Sequence, residues 1–482
     1  MAAAGKGKYP RLNMTPRTKK QLRDFFKDHA SDMTELFPGQ GSDKSSGGGG
    51  GGNSSSSSEP GGGGGGGGRS QAAATNAGKY IFSFDVGTPP QRVSGALDIN
   101  SQLVWTDCGT TTTSGGGTLF YPSQSNTTVV ACTSTACQEF VPQTCATDAC
   151  VYTYTYGGGS ASTTGYLAVD KFSFDDSSDP VELVFGCGVV DAGDFGDGVS
   201  GVVGLGRGPF SLVSQLEADR FSYYFAPDDA AEGAQESFIH FGDDAAPKTS
   251  HALSAPLLES SAFPDFYYVG LTGVRVDGQD LAIPRGTFDL GTDGSGGVFL
   301  SIGIPVTFLD EVAYKLVRKA LESKIGLPTV DGSALGLDLC YTSEALAKAK
   351  VPPVALVFGD GKKAPAVMEL ETWNYFYMDA ATGLECLAML PSTAGGGSLL
   401  GSLIQAGTHM IYDISGSKLM FESLVQASPS PSDSSNGASK PSKTDGKGSP
   451  MRSSSAPPLP ALPVVIANVV WVAVHMLSWA AF

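Results

Sequence analysis

Histidine is scarce in this chain, with five in 482 residues. None lies close to the cysteines, no H-E-x-x-H run occurs and no C-x-x-C pair occurs, so no zinc centre is expected. Positive charge is also short. The chain has 31 Lys and Arg against 48 Asp and Glu, a formal net charge of −17. An acidic body repels phosphate, which excludes nucleic acid as a partner. The basic residues that exist gather early: eight Lys or Arg stand against two Asp in the first thirty residues. That stretch reads as a solvated face. The glycine-spaced "GLGRGPF" (204–210) lacks a following G-K-[S/T], so it is no phosphate loop. The serines of "GGGSAST" (157–163) have no G-x-S-x-G frame. No cofactor is expected.

Long apolar runs are missing until the end. The start, "MAAAGKGKYPRLNMTPRTKK", has no apolar core and is not a secretory signal as written. The finish, Leu462 to Phe482, is largely apolar and free of Lys, Arg, Asp and Glu. It reads as a membrane span or as a lipid-anchor signal that is removed, with Asn436, Ser449 and Ser453 as candidate attachment residues. A lipid anchor implies the secretory pathway, and hence an extracellular or plasma-membrane-anchored protein whose written start is truncated or mis-assigned.

Glycine is abundant and unevenly placed. Runs at 47–52 and 61–68 flank a serine run, so residues 1–75 read as a disordered segment. Residues 426–460 read as a Ser/Pro-rich linker and 461–482 as the apolar tail. Between them lie about 350 residues, too many for one ordinary core, which suggests two lobes, 76–250 and 251–425. Of the eight cysteines, Cys108, Cys132, Cys137, Cys145, Cys150 and Cys187 fall in the first lobe and Cys340 and Cys386 in the second. The even counts suit disulfides confined within each lobe, with the pairing of the six left open.

The folded region is strand-rich. "KYIFSFDVGTPPQRVSGALDI" alternates apolar and polar residues around a Gly-Thr-Pro-Pro turn, and "VYTYTYGGGSASTTGYLAVDKFSF" is a hairpin by its loop chemistry. "GPFSLVSQL" reads as a short helix with Pro209 near its first turn. In the second half "FYYVGLTGVRVDGQDLAI" is strand, turn, strand, and "MIYDISGSKLMFESL" is a closing hairpin. "DEVAYKLVRKALESKIG" is the clearest helix, with acids first, apolar residues at helical spacing, lysines late and glycine at the end.

Eight ordered blocks carry a resemblance. They are "VGTPPQ" (86–91), "ALDINSQLVWTDC" (96–108), "CVYTYTYGGGS" (150–160), "FGCG" (185–188), "GVVGLGRGPFSLVSQL" (201–216), "GGVFLSIGIPVTFLDEVAYKLV" (296–317), "LDLCY" (337–341) and "IYDI" (411–414). Over residues 78–425 the chain resembles the pepsin-like aspartic proteases, most closely their plant nepenthesin-like branch. The resemblance implies a mostly β, bilobal fold of two barrel-like lobes around a cleft, with few short helices, working as a monomer on a peptide or protein.

In that family each lobe contributes one aspartate from an Asp-Thr/Ser-Gly-Thr/Ser loop. Two like charges a few ångströms apart cannot both ionise cheaply, so the pair shares a proton; one carboxylate activates water and the other serves the carbonyl. Asp98 matches the first aspartate, in a loop that reads Asp98-Ile99-Asn100-Ser101. Ile99 replaces a hydroxyl residue that bonds across the loops in the family, and Asn100 replaces a glycine, a substitution asparagine suits through its tolerance of unusual backbone angles. Ser101 is kept and is expected to orient Asp98. The second loop reads Ser301-Ile302-Gly303-Ile304, which puts Ser301 in the second aspartate's place. Asp293 and Asp310 lie too far along the chain to substitute by a short slip. A hydroxyl with no base beside it is neither acid, base nor activated nucleophile. Tyr156 matches the family's flap tyrosine in Tyr156-Gly157-Gly158-Gly159-Ser160. The expectation is an aspartic endopeptidase homologue whose hydrolysis is absent or severely impaired; the alternative is a non-catalytic surface or wall protein that binds or inhibits through the same scaffold.

Overall fold

A computed structural model describes residues 9–10, 12–13, 19–28, 30, 80–109, 118–140, 143–156, 161–174, 179–192, 199–227, 236–359, 364–392 and 397–424. The linker and the apolar tail expected at 426–482 lie outside the described residues. Among the described residues, no helix is long and apolar enough to cross a membrane.

The first alternating run folds as a hairpin of β1 (Ile81–Val86) and β2 (Gln91–Asp98), paired from Ile81↔Ala96 to Val86↔Gln91. Phe82, Phe84 and Val86 point inward while Ser83 is exposed, the period-two pattern of a half-buried strand. The turn requires Gly87: its φ is 97°, and a side chain there would meet Ser125 Oγ at 2.6 Å. β3 (Val104–Asp107), β4 (Ala149–Tyr156), β5 (Ala161–Ser173), β6 (Val181–Ala192) and β7 (Gly201–Gly204) complete the lobe. They order as β1-β2-β7-β3-β6-β5-β4, with Gln143–Ala146 on the edge. The disulfides are Cys108–Cys187, Cys132–Cys145, Cys137–Cys150 and, in the second lobe, Cys340–Cys386, so each lobe is closed on itself. Three cysteine sulfurs, of Cys132, Cys137 and Cys145, lie within 4.8 Å of one another, and all three are taken up by these disulfides.

β8 (Arg220–Tyr224), β9 (Phe238–Phe241) and β10 (Leu253–Leu258) lead out of the first lobe. β11 (Val298–Leu300), β12 (Thr307–Leu309), β13 (Met389–Pro391) and β14 (Ser398–Leu400) belong to the second, and β15 (Thr408–Asp413) with β16 (Lys418–Ser423) forms the closing hairpin. The hairpin inserts between β8 and β10, giving the order β9-β8-β15-β16-β10 in one sheet that runs from the first half of the chain into the second. Its core is aromatic. Phe221 stacks on Tyr412 at 4.5 Å, Tyr223 on Phe225 at 4.5 Å and Tyr80 on Phe225 at 3.7 Å. Each such pair adds roughly 1 kcal/mol beyond the area it buries.

The helix expected from "DEVAYKLVRKALESKIG" spans Glu311–Ile325. Asp310 caps it by accepting from Val312 N and Ala313 N, and Gly326 ends it at φ 66°. The helix expected in "GPFSLVSQL" is shorter than that run: Leu212–Gln215, capped by Ser211, so Pro209 precedes the cap and is outside the first turn.

The reading of residues 1–75 as disordered needs one correction. Lys19–Asp28 is a helix, and its Leu22, Phe25 and Phe26 are buried beside Leu335, Tyr268 and Tyr377 of the second lobe. Phe26 stacks on Tyr377 at 4.1 Å. These three apolar residues fall at i, i+3 and i+4, one face of a helix, and burying that face offsets its ordering entropy. Leu12–Asn13 also pairs with Ile239 and Phe238 on β9.

Candidate functional site

Two strand–loop–strand units of the same design hold the two candidate loops. In the first lobe β2 enters the loop at Asp98, β3 leaves it, and β7 lies between them, parallel to β2 (Gly204↔Asp98) and antiparallel to β3 (Val203↔Val104). In the second, β11 enters at Leu300, β12 leaves, and β14 lies between, parallel to β11 (Leu300↔Leu400) and antiparallel to β12 (Phe308↔Leu399). Glycines at the ends of the central strands let the backbones close in. A Cβ on Gly401 would sit 2.3 Å from Val306 O, and one on Gly204 would sit 2.5 Å from Ser101 O.

Asp98 is half-buried at the end of β2, and its Oδ1 accepts from Asn100 N at 2.8 Å. Its carbonyl accepts from Leu205 N at 2.8 Å. Asn100 Nδ2 crosses to the other loop and donates to Leu300 O at 2.9 Å, which places the Asp98 and Ser301 loops against each other. Asn100 is not among the residues with positive φ, so tolerance of an unusual backbone is not what it contributes. Its side-chain amide supplies a bond between the loops. Ile99 and Ile302 are both fully buried in one apolar core, where the family's hydroxyl residues would stand. Ile304 is half-buried.

Ser301 is 5 % exposed. Its N–H donates to Leu400 O at 3.1 Å and its carbonyl accepts from Gln405 Nε2 at 2.9 Å. The two distant acids have other tasks. Asp293 is exposed and binds Ser295, and Asp310 caps the long helix.

Tyr156 ends the hairpin strand β4, and the tip Gly157–Ser160 lies outside the described residues. Its hydroxyl accepts from Trp105 Nε1 at 2.7 Å and lies 3.5 Å from Ser101 Oγ. Burial first, then the neighbouring Tyr154, pushes the Tyr156 phenol well above its ordinary range, so it stays protonated. Ser101 is buried at the end of the loop. Its hydroxyl contacts the backbone of Leu103 and the phenol of Tyr156, joining the loop to the hairpin. Tyr154 OH accepts from Gln102 N at 3.3 Å and braces the same loop.

Three contributors were not read from the sequence. Gln405, 1 % exposed, donates to the carbonyls of Leu400, Ser301 and Gly401 and accepts from Tyr223 OH, which lies 2.8 Å from Tyr412 OH. Tyr267 OH donates to Leu205 O at 2.9 Å and so supports the Asp98 side. Asp265 lies near enough to Asp98 to feel its charge. Burial first, and then that charge, push the Asp265 carboxyl up to about 6. A polar residue inside an apolar run was the available signal for Gln405 in "SLLGSLIQAG"; the other two had none.

Comparison with known proteins agrees with this geometry. The family model described as "Xylanase inhibitor N-terminal" matches residues 80–243, and "Xylanase inhibitor C-terminal" matches residues 266–423. Aspartic proteinase nepenthesin-2 of Nepenthes gracilis is 36% identical over 342 residues, covering 70% of this chain and 75% of its own. Nepenthesin-1 of the same plant is 35% identical, covering 72% and 78%. Among solved structures, the crystal structure of edgp superposes with a TM-score of 0.56 at 17% identity, covering 72% of this chain and 91% of that one. Basic 7S globulin from soybean gives 0.52 at 18%, covering 71% and 91%. With family models and relatives matched across both lobes, the chain belongs to the pepsin-like aspartic protease family, in its plant nepenthesin-like branch.

Proposed function

We propose that this chain uses the aspartic-protease scaffold to hold a peptide or protein segment between its lobes, and that it has lost effective peptide-bond hydrolysis. One observation carries the reading: Ser301 occupies the position where the second carboxylate is needed. Hydrolysis by this family's route requires one carboxylate to take a proton from water while the other serves the carbonyl. Asp98 alone cannot alternate between the two roles. The buried Ile99 and Ile302 support the reading, because they replace polar groups that would tie the loops by hydrogen bonds.

The second reading is a weak endopeptidase, favoured by the retained Asp98 and by Tyr156 on a flap-type hairpin. A third element, inhibition of another enzyme, is supported by the description of the matched family models. The setting we infer is extracellular or at the plasma membrane, with a monomer held there by the apolar C-terminal segment. Four disulfides suit an oxidising compartment.

The test is to incubate the folded full-length protein with denatured protein at about pH 3–5, where a shared-proton dyad works, with and without a transition-state-mimicking inhibitor. No inhibitor-sensitive cleavage is expected. Cleavage that the inhibitor stops and Asp98→Ala abolishes would overturn the binding reading.

A further inference from the structure

Asp265 shares a wall with Asp98. Its carbonyl accepts from Arg207 N at 3.1 Å, while Leu205 N donates to Asp98 O at 2.8 Å, so the ribbon Leu205–Gly208 carries one aspartate near each end. The Asp265 carboxyl lies over Gly208: a Cβ there would come within 2.7 Å of Asp265 Oδ1 and 2.6 Å of Gln102 Oε1. The nearby cation is turned away. Arg207 pairs with Glu259, donates to Leu258 O at 3.2 Å and lies 5.8 Å from the Tyr267 ring centroid. The Asp265 carboxyl has no ion pair or hydrogen bond among the described residues. On the facing loop, Ser301 is 5 % exposed. A half-buried carboxylate beside a like charge is costly in an empty site, and a ligand of opposite charge relieves that cost.

We infer that this wall selects a peptide or protein segment that presents a basic side chain, with Asp265 as the specificity-determining residue, Asp98 as its companion and the Ser301 hydroxyl as a further acceptor. The inference rests on the binding reading above and names the ligand chemistry for it. A Lys ammonium or Arg guanidinium supplies the missing counter-charge and several donors at once. An apolar or acidic side chain leaves the carboxylates as they were or makes them worse.

The titratable and charged groups around Asp265 are Asp98, Tyr154 and Tyr267, with the Arg207 guanidinium taken up by Glu259. Neither phenol is charged at neutral pH, because burial pushes both above their ordinary range. The ionised form of Asp265 binds the cation. Selectivity is therefore full above the Asp265 titration at about 6 and fades as pH falls through it.

The experiment uses immobilised peptide sets identical except for a central Lys, norleucine or Glu, and the full-length protein. At pH 7.5 Lys peptides are expected to be retained roughly tenfold more tightly than norleucine peptides, the order of one charge-assisted bond. Asp265→Asn should remove that preference, Asp265→Glu should keep most of it, and pH 4.5 should reduce it in the parent protein. Asp293→Asn removes the same charge from an exposed turn and should leave the preference intact, which separates the wall from the general acidity of the chain. A Lys preference equal in the parent and Asp265→Asn overturns the inference while the binding reading stands. Retention of no peptide at all overturns both.

Discussion

The Asp98 loop and the Ser301 loop are built alike and furnished differently. Each follows a strand paired in parallel with a short central strand, and each has its carbonyls held from beneath by buried side chains. On the first side Tyr267 reaches Leu205, whose N–H holds Asp98 O; on the second, Gln405 holds Ser301 O directly. The first loop presents a carboxylate. The second presents a hydroxyl followed by two isoleucines, Ile302 buried and Ile304 half-buried. Apart from the Asp98 carboxylate, which accepts from Asn100 N, the groups that hold the backbone frame are not acids of the dyad. Frame and chemistry are thus separable: a loop can lose its reactive group and keep its shape, because the bonds that shape it come from elsewhere.

The strongest way to break the comparison is to make the second loop resemble the first in chemistry. Ser301→Asp alone is expected to give little or no inhibitor-sensitive cleavage, since Ile99, Asn100, Ile302 and Ile304 still surround the loops. Adding Thr at 99, 302 and 304 and Gly at 100 should raise the rate by roughly two orders of magnitude or more, read as peptide cleavage at acid pH. Full activity in the single variant would show that the neighbouring substitutions matter little.

Attacking the supports should give smaller, unequal effects. Gln405→Leu strips partners from three carbonyls and from Tyr223 OH, and should cost about 3 kcal/mol in denaturant unfolding. Tyr267→Phe removes a single bond on the Asp98 side and should cost about 1 kcal/mol. Equal costs would mean the two loops are not held in the way the hydrogen bonds describe.

Asp265→Asn should act in the other direction. The folded carboxyl titrates at about 6, above its ordinary 3.8, so the fold is favoured by protonation and loses stability as pH rises through that window. The variant should be more stable than the parent by about 1–2 kcal/mol at pH 7.5, allowing for partial solvent screening, with the gain gone near pH 4. Thermal unfolding at the two pH values reads it. An effect as small as that of Tyr267→Phe belongs to Asn100→Ala, which loses the bond to Leu300 O and should cost roughly 1 kcal/mol.

Much of this was legible because it is local. Asp310 and Gly326 announce their helix by cap chemistry, β1 and β2 by alternation around a glycine turn, and the Asp98 loop by its block. Ser301 is marked by its spacing from "PVTFL", and its loop lies between strands paired like those around Asp98. What escaped is long-range. Asp265 follows Pro264 at a strand approach, where an acid ordinarily marks only a turn; its meeting with Asp98 is made by the Leu205–Gly208 ribbon. The helix Lys19–Asp28 escaped because its own period was masked by glycine-rich neighbours, and its stability comes from a surface more than three hundred residues away, around Tyr377. Asn100 bonds across to Leu300 O where its backbone tolerance was the expected contribution, since the residue type fixes what a side chain can bond and only packing fixes what it meets.

The seam of buried phenols has an optical consequence. Tyr223, Tyr267 and Tyr412 are held protonated far above their ordinary range by burial. An ionised phenol absorbs further into the near ultraviolet than a neutral one. As alkali is added, exposed tyrosines change colour near pH 10, one by one and without cooperation. These three stay dark until the sheet between the lobes opens, then answer together. The molecule carries its own indicator dye, placed at the joint whose opening it reports.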